Sequence, residues 1–207
     1  MNNHYDVIVV GGGHAGVEAA YAAAKLGSKT ALVSMDLNKI SLMPCNPSIG
    51  GVGKGHIVYE ISALGGLMPK LCSTTYLQAR MLNTRKGPAV QGLRLQIDKN
   101  AYSKLSAETL SKTPNLTLVK GKVADLLTKN DLITGIKLAD DTIINCKTVI
   151  ITTGTFLNGL MHVGHKNFAG GRREEEAVKT LSGTLENLGL ERSEEHTSEL
   201  QSPDHLV

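Results

Sequence analysis

An α/β fold built around a parallel sheet is predicted by three features of the sequence. The first is the β-branched run Val7-Ile8-Val9-Val10, closed at once by glycines, as in a strand buried on both faces. The second is the alanine-rich stretch behind it, with Val17, Ala20, Tyr21 and Ala24 at helical spacing and Gly27 as its stop. The third is the return of short apolar runs at residues 29–33, 116–119 and 148–152. Strands alternating with helices point to parallel crossovers rather than hairpins.

The turn between the first strand and helix is Gly11-Gly12-Gly13-His14-Ala15-Gly16, with glycines at G-x-G-x-x-G spacing. Each has a distinct task in a dinucleotide-binding turn. Gly11 makes the tight turn, Gly13 lets the backbone approach a pyrophosphate, and Gly16 lets the helix sit close on the strand. The free N–H groups of the first helical turn then face two negative phosphates. The triplet alone is a weak signal, but here a strand precedes it and a helix follows.

In such folds an acidic side chain near the end of the second strand holds a ribose hydroxyl. Ser34 stands there instead, with Asp36 two residues later. This weakens a plain NAD reading. Residues 43–56 follow, with Pro44 and Pro47 excluding regular helix around Cys45 and Asn46. Gly50, Gly51, Gly53 and Gly55 then fall within six positions, a density that suggests backbone packed close against something. It reads as a second cofactor-contacting loop, the alternative being a flexible connection. A helix is expected over residues 57–64.

The basic residues Arg80, Arg85, Lys86, Arg94, Lys99 and Lys104 read first as solvated surface, and second as phosphate contacts. With no Trp and few aromatics, no base-stacking platform is visible. Three short strands are expected at 124–129, 132–138 and 142–146, with turns at Asn130-Asp131 and Asp140-Asp141. A meander inserted in a parallel sheet is the pattern of the two-dinucleotide-binding flavoproteins. Strand 148–152 then brings Thr153-Gly154 to the carboxyl edge of the sheet, where ligands of such folds bind. His162 and His165 read as structural or exposed, and a last helix starts in 181–190.

Composition limits the remaining choices. The 207 residues are 41% hydrophobic and 20% charged, with a net charge of +3. No run of eighteen apolar residues occurs and the first strand begins almost at once, so neither a membrane helix nor a leader is expected. Cys45, Cys72 and Cys146 lack metal or disulfide-framework spacing, which points to a reducing, cytoplasmic compartment. The seven histidines form no metal motif. Residues 192–207 differ in character, with almost no apolar residues and no periodicity. They resemble the translation of a sequencing-library adapter joined in frame, and are set apart from residues 1–191 as a non-native tail. Without them the chain carries 21 basic and 15 acidic residues, a mild excess compatible with RNA.

Five segments in order carry a resemblance: Gly11-Gly-Gly-His-Ala-Gly16, Cys45-Asn-Pro-Ser-Ile-Gly-Gly-Val-Gly-Lys-Gly-His56, Ala63-Leu-Gly-Gly66, Lys86-Gly-Pro-Ala89 and Gly154-Thr-Phe-Leu157. Together they resemble the flavoprotein subunit of the bacterial tRNA uridine 5-carboxymethylaminomethyl modification enzymes, the MnmG/GidA family. The likeness runs from about Asp6 to about Arg172, and the Cys-Asn-Pro block is its most specific part. Residues 1–191 then resemble a truncated, Rossmann-like FAD-binding domain. The family's Ala-Gly after Gly-Gly-Arg is replaced here by Arg173-Glu174-Glu175-Glu176, and Lys99 is a milder departure.

The resemblance implies FAD held by Gly11, Gly12, Gly13, His14, Ala15 and Gly16, with Val123 at the adenine end and Gly154 at the sheet edge. It implies NADH and methylenetetrahydrofolate as co-substrates, tRNA as the acceptor at C5 of the wobble uridine, an MnmE-type GTPase as partner, and a homodimer. Cys45 is then a candidate thiolate for covalent or redox chemistry, or a small residue packed under the flavin. Lys54 offsets negative charge on flavin or phosphate, or is a solvated loop lysine. Two other readings stand beside this one: a non-catalytic remnant of an FAD-binding domain, and a general FAD/NAD-dependent oxidoreductase.

Overall fold

The computed structural model describes residues 4–43, 46–163, 166–170 and 180–190. β1 (His4–Val10) runs into α1 (His14–Lys25), which returns the chain to β2 (Thr30–Ser34). A 3-10 turn (Leu37–Lys39), β3 (Ser48–Gly50), α2 (Lys54–Ala63) and α3 (Leu67–Thr75) follow. Then come β4 (Tyr76–Leu82), β5 (Gly92–Ile97) and α4 (Lys99–Ser111). β6 (Leu116–Lys120), β7 (Val123–Lys129), β8 (Leu132–Leu138) and β9 (Ile143–Ile151) complete the main sheet. β10 (Leu160–Val163), β11 (Lys166–Ala169) and α5 (Thr180–Asn187) come last.

The main sheet has the order β6-β2-β1-β9-β8-β7. Its first four strands are parallel and the last two pair antiparallel. Alternation along the strands feeds two cores. Val9 and Leu32 point to one face, where Val17, Leu67, Leu71, Tyr102 and Leu110 cover them from α1, α3 and α4. Ile8, Val10, Ala31 and Val33 point to the other, packed with Val123, Ile136 and Ile144 and with Leu181 and Leu185 of α5. The two-faced burial is why the strands read as continuous apolar runs.

Two elements differ from the sequence expectation. Strand 142–146 and strand 148–152 are one strand, β9. It changes partner along its length, pairing antiparallel with β8 over residues 143–145 and parallel with β1 over 145–151. The meander therefore extends the parallel sheet at its edge. Lys147, which breaks the apolar run, stays exposed and pairs with Asp6 at 2.7 Å. The second difference is a separate antiparallel sheet, β3-β5-β4, which the sequence reading leaves as loop and surface. Its β4 is exposed along nearly its whole length, so no alternation marks it.

This small sheet also explains the first glycine of the cluster. Gly50 has φ +96° and lies so close to the Leu93 carbonyl that a Cβ would overlap it. The Gly51 amide donates to the same carbonyl at 2.8 Å. The close approach at this point is made by β5 of the chain itself. Residues 192–207 lie outside the described residues, as do Gly171 and Arg172.

Candidate functional site

The chain leaves β1 toward β2 on one side and returns through β9 on the other. A crevice opens at the carboxyl ends of these strands, the topological switch point of the sheet. Hydrogen bonds fix its floor. The Gly11 amide donates to the Val33 carbonyl at 2.9 Å, and the Thr152 amide to the Val10 carbonyl at 2.8 Å. The Thr152 hydroxyl donates to the Val10 carbonyl at 2.9 Å, with the Gly11 carbonyl at 3.2 Å. The ends of β1, β2 and β9 are thus tied together beneath the glycine turn.

The turn's glycines are constrained differently. Gly11 has φ +111°, and a Cβ there would run into the Thr152 carbonyl. At Gly16 a Cβ would overlap the Gly11 carbonyl and meet Thr152 Oγ1 at 2.6 Å, so α1 packs on the strand only through glycine. Gly12 faces Ser34, whose Oγ lies 2.8 Å from a Cβ position. Gly13 has nothing within 4 Å of that position. The protein itself therefore leaves Gly13 unconstrained, with open space where its side chain would be. Gly13 is also the N-cap of α1, with no side chain to satisfy the first-turn amides, and no acidic residue sits in that turn. Such an end favours an anion.

A cavity of about 280 Å³ opens over this turn. Gly11, Gly12 and Gly13 line it on one side, Ser34, Met35, Asp36 and Lys39 on another, and Gly121 with Val123 on a third. Thr152, Thr153, Gly154, Thr155 and Phe156 close the rim. Ligand pockets generally span about 300–1,000 Å³, so this one is sized for part of a dinucleotide. Gly154 has φ +57° and open space at its Cβ position. Val123 enters at the start of β7 and is buried. Ser34 stands on the rim but bonds the Asp36 carbonyl at 3.3 Å, while the Asp36 carboxylate accepts the Asn38 amide at 3.0 Å.

Thus Gly11, Gly12, Gly13, Val123 and Gly154 meet at one crevice. Gly16 is buried beneath it, and His14 turns its ring edge-on to Tyr102 at 5.9 Å. Ala15 sits in the first turn of α1. Lys54 lies apart, at the start of α2, where its ammonium donates to the Ser48 carbonyl at 2.9 Å. Cys45 and His165 lie outside the described residues. The other two thiols are buried in the cores. Burial pushes the Cys72 thiol up to about 11, with Glu18 adding to the rise and Lys54 opposing it. Burial likewise raises Cys146.

Sequence reasoning missed Thr152 and the turn after β2. That turn is held by Ser41, whose backbone amide donates to the Gly12 carbonyl at 2.9 Å and whose φ is +55°. Its hydroxyl meets that of Ser106 at 2.8 Å, and Ser103 donates to the Ile40 carbonyl at 2.5 Å. Three small hydroxyl residues carry no sequence pattern that would have announced this. Among the described residues there is no cluster of metal-ligating side chains, and no helix is long and apolar enough to cross a membrane.

A strand, glycine turn and helix at the switch point of a parallel sheet define a protein of the Rossmann-like dinucleotide-binding fold. A family model described as glucose inhibited division protein A matches residues 6–198, and the chain belongs to that family. The match ends within segment 192–207. The chain is 49% identical over 189 residues to a tRNA uridine 5-carboxymethylaminomethyl modification enzyme MnmG from Sulfurihydrogenibium, covering 90% of this chain and 30% of that relative. The structure of Aquifex aeolicus GidA superposes with a TM-score of 0.87 at 42% identity, over 91% of this chain and 31% of that one. A GidA-related protein from Thermus thermophilus shares the fold alone, with a TM-score of 0.63 at 19% identity, over 90% and 69%. The chain spans about 30% of the length of the curated relatives it matches.

Proposed function

We propose that this chain is the FAD-binding part of a flavoenzyme that modifies C5 of the tRNA wobble uridine. The observation that carries the reading is Gly13. The fold leaves its Cβ position open and its helix end uncapped, beside a crevice at the switch point. Open space at that glycine is explained by a ligand that approaches the backbone there. In this reading the amides of Gly11 to Gly16 hold the pyrophosphate and Val123 supports the adenine end. Gly154 keeps the opposite rim free of side chains.

FAD supplies reversible hydride exchange. Gly11, Gly12, Gly13, Val123 and Gly154 would hold it at the crevice. NADH as reductant, methylenetetrahydrofolate as one-carbon donor, an MnmE-type GTPase partner and a homodimer follow from the family resemblance. So do roles for Cys45 as thiolate and Lys54 as a cation near the flavin. Ser34 in place of the ribose carboxylate weakens a plain NAD reading, and the meander after Val123 follows the flavoprotein pattern. Calorimetric titration of the folded chain with FAD and with NAD tests this. The reading expects FAD to bind and NAD to bind at least tenfold more weakly; NAD binding as well as FAD would contradict it.

A further inference from the structure

The segment that contains the small antiparallel sheet carries an excess of positive charge. Residues 37–97 hold seven basic residues and a single acidic one, Glu60. The ladder aligns two of the cations. Arg80 of β4 lies directly opposite Arg94 of β5, so both side chains stand on one face. On that face the neighbouring row is Gln78, Gln96 and Ser48, and Gly50 lies beside Arg94 on β3. This stretch of the face is polar, ends at Leu82 opposite Gly92, carries no carboxylate and has no side chain at Gly50 to cover the Arg94 guanidinium. The opposite face carries Ile49 and Leu95, which join the core and hold the sheet rigid.

Opposed like charges on a ladder cost stability. Among the described residues neither arginine has an acidic partner. The Lys54 ammonium lies at the β3 edge of the same sheet, on the Ser48 carbonyl. Arg85 and Lys86 lie in the turn that follows β4. Paired arginines on a polar sheet face suit the phosphates of a nucleic-acid backbone, because arginine pairs bidentately with phosphate.

We propose that the Arg80–Arg94 face of the β3-β5-β4 sheet is a contact surface for the RNA backbone. This rests on the reading of the chain as part of a tRNA-modifying enzyme. It places the RNA on the small sheet, apart from the glycine crevice. The arginines are positioning residues that hold phosphates and read no base.

The test is fluorescence anisotropy of the 207-residue chain with a labelled anticodon stem-loop RNA, over a series of salt concentrations. The double variant R80Q/R94Q is expected to bind about tenfold more weakly, with a log-log salt slope smaller by about 1.4, the value for two single-strand phosphate contacts. R80K/R94K is expected to keep most of the slope. K112Q/K129Q removes equal charge elsewhere and is expected to change affinity less than twofold. R80Q/R94Q is also expected to melt no lower than the wild type, since it relieves a repulsion, a signature that a structural role for the arginines does not give. Equal losses in the two glutamine double variants, or no RNA binding by a wild-type chain that binds FAD, would overturn the surface while leaving the cofactor reading intact. Failure of FAD binding would count against the reading itself.

Discussion

At the scale of single residues, the glycine turn separates what folding requires from what a ligand requires. Gly16→Ala forces a methyl group into the Gly11 carbonyl and the Thr152 hydroxyl, and overpacking of this kind costs about 1–3 kcal/mol or more. Gly13→Ala meets no protein atom within 4 Å, and its stability cost is expected to stay within about 1 kcal/mol, the preference of an N-cap for glycine over alanine. Gly13→Ala is expected to lose FAD affinity at least tenfold, far more than its small loss of stability explains. Thermal melts paired with FAD titration check this, and a Gly13→Ala protein that binds FAD normally would remove the ligand as the reason for that glycine. The same residue scale yields a pH dependence. The Cys72 thiol is raised from 9.0 to about 11 by burial. Between these values the unfolded chain binds fewer protons than the folded one, so stability falls as pH rises from about 9 to 11. Cys72→Ala is expected to flatten that slope in urea melts at pH 8, 9.5 and 11. An unchanged slope would remove Cys72 as its source.

At the scale of elements, α3 depends on a residue from another helix. Its N-cap is Gly66, which offers no side chain. The Glu18 carboxylate of α1 accepts the Leu67 amide at 2.9 Å and also the Met68 amide. Pro69 follows in the first turn, where its missing N–H costs nothing. Glu18→Ala is expected to destabilise the chain by about 1–2 kcal/mol and to expose the first turn of α3 to hydrogen exchange. Unchanged protection of residues 67–71 would refute the cap. This helix was not legible in the sequence because its cap lies far away in the chain and its proline reads as a breaker. The β4 and β5 strands were illegible for another reason. A nine-residue connection without a two-residue turn signal joins them, and β4 shows no burial alternation. By contrast, Val7 to Val10 and the glycines behind them were legible because burial on both faces and positive φ each restrict residue type. The crevice was legible at Gly11, Gly13, Val123 and Gly154. Its rim after β2 was not, since Ser41, Ser103 and Ser106 have no distinctive spacing.

At the scale of the whole molecule, two lobes differ in surface as well as topology. The parallel sheet buries its apolar strands on both faces. The segment from β3 to β5 leaves Leu64 at 89% and Leu77 at 70% exposure. Exposed apolar side chains of this size raise the tendency to associate. The double variant L64E/L77E is expected to melt within about 1 kcal/mol of the wild type and to stay monomeric at higher concentration in light scattering. A large loss of stability would show that these leucines are buried. The lobes also divide the proposed work. The crevice of the parallel sheet takes a dinucleotide, and the basic face of the small sheet takes the RNA backbone.

The central claim is that FAD sits at the glycine crevice. The most direct measurement is amide chemical-shift mapping of the ¹⁵N-labelled chain during FAD titration. The account predicts the largest changes at Gly11, Gly12 and Gly13, at Gly121 and Val123, and at Thr152 to Gly154. Saturating changes confined to the β3-β5-β4 sheet, or none in a folded chain, would contradict it.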